Sequence, residues 1–358
     1  MVLTTRYFPP HKLLLFLNEL SEKTKVNLLG KSVKNRPIYG LKIGSGIKKI
    51  LIWSQMHGNE TTCTRALCKF IRLIEQSEHY LKNFCFFIIP QLNPDGAKTY
   101  SRFNANQIDI NRDALKLSQP ESKVLNKTFT EFKPDYCFNM HDQRSVFSAG
   151  DFEKAAAISF LSPAMDDAKT ISDSRKESML LIADINKILQ KKIPGQVGRY
   201  NDKYNAECFG DKFSKKGVPT ILFEAGHSKT DYSRSFSKEL MFLSLKKALN
   251  SIINKSFLTG SCEDYFKIPE NKQKYVDIII KNATVIDQNL IYHNHQLAIQ
   301  YDEVLKNQSI FLQPTYHSYG ENLKLYSHSA INLGKKFSSK EFIFKENEII
   351  DISFFSSK

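Results

Sequence analysis

Four apolar runs, Lys49–Ser54, Phe84–Pro90, Asp135–Met140 and Thr220–Glu224, are separated by stretches in which apolar residues recur every three or four positions. Short runs rich in β-branched and aromatic residues read as strands buried on both faces, and the three-to-four spacing reads as amphipathic helix. The helical stretches lie near Glu60–Glu78, Glu121–Glu131, Ser172–Lys191 and Ser237–Asn250. Strands alternating with helices predict an α/β fold: a mixed, mostly parallel sheet sandwiched by helices. Ahead of this core, Leu13, Leu14, Leu17 and Leu20 outline one face of a short helix. Leu28–Gly44 alternates apolar and polar residues, with turn residues at Gly30 and Asn35-Arg36-Pro37, and predicts a hairpin.

The texture changes from about Gly260. Val276–Ile280, Gln296–Tyr301, Ser309–Leu312 and Glu341–Phe344 are short β-type segments with little helical period. The expected organisation is therefore a main domain over residues 1–258 and a small β-rich C-terminal domain over residues 265–358.

Composition narrows the class. The 358 residues include 26 Phe and are 41% apolar, enough for one large packed core with a smaller companion. A net charge of +14 raises the question of nucleic acid. The lysines are scattered, at Lys48-Lys49, Lys191-Lys192, Lys215-Lys216 and Lys335-Lys336, without a basic block interleaved with aromatics. A solvated lysine-rich surface is expected, with no nucleic-acid partner. The six cysteines form no C-x-x-C pair, and Cys85 and Cys137 fall inside apolar runs, which fits a reducing compartment. Lys12–Leu17 is too short to span a bilayer, and no small-residue cleavage pattern follows it. The expectation is a cytoplasmic protein with no membrane partner; the pattern is silent on oligomeric state.

Candidate chemistry concentrates at the ends of the apolar runs. His57-Gly-Asn-Glu60 follows the first, and His141 ends the third. Two imidazoles and a carboxylate are the ligand set of a catalytic zinc site with a fourth position open to water. Strands ending together would bring them to the carboxyl edge of a sheet, where open α/β folds bind ligands. Between these ligands lie Asn93-Pro-Asp-Gly96 and a loop bearing Arg102, Asn111 and Arg112. The guanidinium forks suit a carboxylate or a polarised carbonyl oxygen; the competing reading pairs the two arginines with Asp95, Asp109 and Asp113. Glu224 ends the last strand and is placed to act as a general base. The polar loop Gly198–Asp211 suggests a lid, with Tyr204 or Tyr200 closing over substrate. Asp211 could favour a basic side chain or merely cap the loop.

Together these residues resemble the zinc carboxypeptidases, the funnelin metallopeptidases, and in particular compact bacterial-type members. The resemblance rests on H-x-x-E at His57 and Glu60, N-P-D-G at Asn93–Gly96, the loop of Arg102, Asn111 and Arg112, the distal His141 and the strand-end Glu224, in the family's order. It covers about residues 28–250. It implies one zinc ion per chain held by His57, Glu60 and His141, with Glu224 activating water and returning its proton. It further implies that Arg102 stabilises the oxyanion, that Asn111 and Arg112 hold the substrate's terminal carboxylate, and that a tyrosine, Tyr204, contacts substrate. The interval between Glu60 and His141 is shorter than in the digestive enzymes, and Phe-Glu-Ala-Gly-His around Glu224 departs from that branch.

The resulting expectation is hydrolysis of an amide bond beside a free carboxylate, in a peptide or an N-acyl amino acid. The alternative is an N-acyl amino acid deacylase of the succinylglutamate desuccinylase or aspartoacylase type. A binding module that has lost turnover is disfavoured, because every proposed ligand and the proposed base are present.

Overall fold

The computed structural model describes residues 5–229, 231–333 and 340–352. The helices among them are α1 (Pro10–Leu17), α2 (Thr62–Glu75), α3 (Glu78–Asn83), α4 (Pro94–Thr99), α5 (Pro120–Phe132), α6 (Asp173–Gln190), α7 (Phe209–Lys215), α8 (Ser235–Asn254) and α9 (Cys262–Phe266). The strands of the main sheet are β1 (Thr24–Lys31), β2 (Pro37–Ile43), β3 (Lys48–Ser54), β4 (Phe84–Ile89), β5 (Tyr136–Asp142), β7 (Ile158–Leu161), β8 (Val197–Arg199) and β9 (Thr220–Ala225), with β6 (Phe147–Ala149) beside it.

The main sheet has eight strands in the order β1-β2-β4-β3-β5-β9-β7-β8. Its centre, β4-β3-β5-β9, is parallel, while β1, β2 and β7 introduce antiparallel pairings. Period-two alternation divides β3 between the two faces. Ile50 and Ile52 pack into the larger core with α2, α6 and α8, and Leu51 and Trp53 pack on the other side against Phe209 and Phe213 of α7. A strand covered on both faces must be apolar throughout, which is why these runs are continuous.

The expected hairpin is β1–β2, and the expected main-domain helices are α1, α2, α5, α6 and α8. The short β7 and β8 and the helices α4 and α7 were not anticipated; α7 occupies part of the stretch read as a polar loop. Arg36 of the hairpin turn donates to Asp95 Oδ1 at 2.5 Å, and Lys34 N–H donates to Asp95 Oδ2 at 2.9 Å. The turn is thereby tied to the N-P-D-G segment.

The C-terminal β region is a second sheet. It comprises β11 (Tyr275–Asp287), β12 (Leu290–Lys306), β13 (Ser309–Gly320), β14 (Tyr326–Asn332) and β15 (Glu341–Ile343), in the order β13-β12-β11-β14 with β15 also on β11. β11, β12 and β13 are far longer than the expected short segments, whereas β15 coincides with the expected Glu341–Phe344. Gln288-Asn289 and Asn307-Gln308 all take positive φ, forming tight two-residue turns that extend the hairpins on both sides. Its own core includes Ile278, Ile280, Leu297 and Ile299. The preceding residues belong elsewhere: Tyr265 and Ile268 lie in the main core, and β10 (Asn271–Gln273) pairs with β6.

Candidate active site

β3, β5 and β9 are neighbours, so their carboxyl ends bring His57, His141 and Glu224 together. After β3 the chain turns through Gln55, which holds φ at 50° and donates its side-chain amide to Gly58 O and Phe8 O. Gly58 lies against the backbone of α4; a Cβ there would meet the carbonyl carbon of Gly96 at 1.9 Å. Asn93 secures the same contact, accepting from Gly96 N–H at 2.8 Å and donating to Met56 O at 3.1 Å. The N-P-D-G segment is thus a clamp on the loop that carries His57.

His57, Glu60 and His141 form a buried cluster whose ligand atoms all lie within 4.8 Å of one another. His57 Nδ1 is 2.7 Å from Glu60 Oε1, and His141 Nδ1 is 2.8 Å from Glu60 Oε2. The two Nδ1 atoms are 3.2 Å apart. Behind His57, Asp109 Oδ1 lies 3.0 Å from Nε2. A proton on Nε2 turns the Nδ1 lone pair toward Glu60 and His141, and this carboxylate–histidine arrangement orients a metal ligand. Two imidazole nitrogens crowded on one carboxylate are the donor set of a divalent cation, and His2Glu suits zinc. Sequence reasoning had placed Asp109 only as a partner for the arginines.

The electrostatics agree. Burial opposes charge on Glu60, but His57 and His141 outweigh it and hold its carboxyl well below the usual range. For His57, burial is outweighed by Glu60 and Asp109, which raise its pKa; for His141, burial with the charges of His57 and Arg102 prevails over Glu60 and lowers it. The backbone finishes the frame. Asp142 accepts from Thr62 and Cys63 N–H at the start of α2, and its own N–H donates to Glu60 Oε2 at 3.1 Å.

Glu224 is the sheet partner of His141. Its carboxyl makes no hydrogen bond or ion pair with a described residue. Burial, then the charges of Glu60 and Asp142, push its pKa well above the ordinary carboxylate value. Arg102 donates to Asp109 from Nε and Nη2, at 3.0 and 2.9 Å, and reaches Glu60 from Nη1 at 3.4 Å. Of the three pairings considered for the arginines, only this one with Asp109 forms. Asp113 instead accepts from Ser118 and Gln119. Arg112 is exposed and contacts Asn111 O and Cys208 Sγ. Asn111 accepts from Phe209 N–H at 3.2 Å, which leaves its Nδ2 for a ligand.

His57, Glu60, His141, Glu224, Arg102, Asn111 and Arg112 line one cavity of about 680 Å³, together with Tyr200, Asp211 and residues of β12. Tyr204 does not line it. Its hydroxyl is 3.5 Å from Lys215 Nζ and its ring lies beneath that ammonium, a contact that turns it away along α7. Tyr200, the other tyrosine considered in that loop, does line it. Its backbone N–H is bound to Phe160 O, and its ring packs edge-on to Phe147 at 5.5 Å. Burial and the nearby Glu224 and Glu60 raise its phenol pKa.

Residues 13–145 match the family model described as zinc carboxypeptidase. The chain is 28% identical over 109 residues to Carboxypeptidase 2 of Trichophyton rubrum, covering 29% of this chain and 20% of the relative. It thus spans about a fifth of the length of that curated relative. Its fold is that of a metallo-carboxypeptidase from Burkholderia cenocepacia, with a TM-score of 0.57 at 14% identity over 70% of this chain and 71% of the other. It is equally that of a metallo-carboxypeptidase from Pseudomonas aeruginosa bound to (2-guanidinoethylmercapto)succinic acid, with a TM-score of 0.56 at 16% identity over 69% and 70%. The matched segment holds His57, Glu60 and His141, whose side chains are of the types that ligate zinc.

Proposed function

We propose that the protein is a zinc-dependent carboxypeptidase-type hydrolase, cleaving the amide bond next to a free terminal carboxylate. The observation that carries this reading is the single cavity shared by the His57–Glu60–His141 cluster, the unpaired carboxyl of Glu224 and the cationic pair Arg102 and Arg112. His57, Glu60 and His141 would hold the metal, with Asp109 orienting His57. A zinc ion there supplies Lewis acidity to a carbonyl oxygen and to a water.

The remaining work falls to this chain's own groups. Arg112 and the free Nδ2 of Asn111 bind the terminal carboxylate and set the register of the substrate. Arg102, anchored on one edge by Asp109, offers its other edge to the carbonyl oxygen as negative charge develops there. Glu224 takes the proton from the attacking water and delivers it to the leaving amine nitrogen. Tyr200 covers the substrate from the 198–211 loop. The ligand of the Pseudomonas aeruginosa structure, a succinic acid carrying a guanidino group, has carboxyl groups of the kind that Arg112 would take.

The test is release of the terminal residue by zinc-loaded protein from matched free-acid and amidated peptides, with N-acyl amino acids in the same panel. Release from the free acids alone supports the reading. Turnover confined to N-acyl amino acids would move the protein to the deacylase alternative. No turnover of any member would overturn the proposal.

A further inference from the structure

The cavity is not built by the main domain alone. Tyr301, Asp302 and Glu303 of β12 line it alongside the candidate ligands. The cluster stands between two groups of lining residues: Glu60 Oε1 is approached by Arg102 at 3.4 Å, and Glu60 Oε2 by the N–H of Asp142 at 3.1 Å. Arg102 belongs with Asn111 and Arg112. Asp142 leads through Arg144 toward β12. If Arg112 takes the terminal carboxylate, the part of the substrate beyond the scissile carbonyl runs toward β12.

That strand is fixed in place. Glu303 accepts from Arg6 Nη2 at 2.6 Å and from the Tyr100 hydroxyl at 2.5 Å. The segment carrying Arg6 is itself held, its carbonyl accepting from Thr61 Oγ1, one residue after Glu60. The N–H of Tyr301 donates to the buried Asp277 at 2.7 Å, and Tyr232, from the chain following Glu224, donates to the same carboxyl at 2.8 Å. The rings of Tyr301 and Tyr232 meet edge-on at 5.4 Å. Outside this braced wall, Asp302 and Arg144 approach each other to 3.7 Å across the rim, both well exposed.

We propose that β12 is the acyl-side wall of the active site, and that Tyr301 and Asp302 limit the substrate to a short acyl portion. This inference rests on the carboxypeptidase-type reading. A cavity of about 680 Å³ falls within the range of pockets that enclose compact ligands, about 300–1,000 Å³. The fitting substrates are peptides of a few residues, or acylated amino acids, carrying a free terminal carboxylate. A folded protein's C-terminal tail would have to displace β12, breaking the Glu303 and Asp277 contacts together.

The experiment is a ladder of substrates with one terminal residue and acyl portions lengthening from acetyl through one, two, four and six residues, read as kcat/KM for release of the terminal amino acid. The zinc-loaded wild type should lose at least tenfold between the two-residue and six-residue members. Asp302→Ala, at an exposed position that leaves the Glu303 and Asp277 contacts intact, should reduce that loss, and Asp302→Trp should deepen it. Tyr301→Ala should reduce it further, its melting curve serving as the check on folding. A wild-type ladder that is flat, or a ratio unmoved by both Asp302 variants, overturns the inference while leaving the hydrolase reading intact. Absence of turnover on every rung would overturn both.

Discussion

Asp109 Oδ1 lies 3.0 Å from Nε2 of His57, so the imidazole is gripped from behind by a carboxylate that also receives two hydrogens from Arg102. One side chain therefore orients a metal ligand and anchors the group assigned to the oxyanion. Asp109→Asn keeps an acceptor for Asn111 N–H but loses the negative charge. We expect zinc affinity to fall by about 10–100-fold, the range for partners behind a metal-binding histidine. A zinc competition titration checks this, and an unchanged Kd would remove Asp109 from the site.

Glu224→Gln should retain zinc at wild-type stoichiometry and lose about 10²–10⁴ in kcat, because a carboxamide cannot accept the water's proton. Metal analysis beside steady-state kinetics separates the two effects. Near-normal kcat would put the base elsewhere.

Arg112→Ala and Arg102→Ala should fail differently. Binding of a terminal carboxylate exists in both ground and transition states, so losing Arg112 should raise KM at least as much as it lowers kcat. Losing Arg102 should fall chiefly on kcat. Amidated substrates, poor for the wild type, should be nearly indifferent to Arg112→Ala. Equal sensitivity of both substrate classes would make Arg112 structural.

The parallel core and the ligand cluster were legible because both depend on local signals: apolar runs covered on two faces, and ligand types at their ends. Asp109 was harder to read, because only the fold shows that its carboxyl reaches back to His57 instead of serving the arginines alone. Which of the two loop tyrosines faces the cavity was also left open by the sequence. Tyr200 and Tyr204 share one loop, and the distinction comes from Lys215, eleven residues further along, drawing Tyr204 onto α7. The long hairpins of the second sheet were hidden because their turns use Gln and Asn instead of glycine at positive φ. Nothing in the sequence linked Glu303 to Arg6, a contact between distant segments.

Asp211 gives a test by pH. Burial pushes its pKa up to about 6, against the N–H of Asn205 and the charges of Arg112 and Arg175. An unfolded aspartate titrates near about 3.9. The folded state therefore holds the proton more tightly, and stability falls as pH rises from about 4 to about 6, remaining lower above that. Asp211→Asn can still accept from Asn205 and carries no charge to bury. It should be more stable than wild type at pH 7.5 by roughly 1–2 kcal/mol, with the gap closing near pH 4. Thermal melts at the two pH values measure it; a gap independent of pH would contradict the assignment.

The adjacency of β3, β5 and β9 also bears on when the site comes into being. These strands are side by side in space but belong to residues 48–54, 136–142 and 220–225. Such distant pairings are slow to form, because loop-closure entropy is lost before the contacts compensate for it. The nascent chain has no metal site to offer until the centre of the sheet is complete. Zinc would then act as a late lock: it stabilises the finished domain by mass action and shows itself in slower unfolding, while the rate of refolding stays the same with or without the ion.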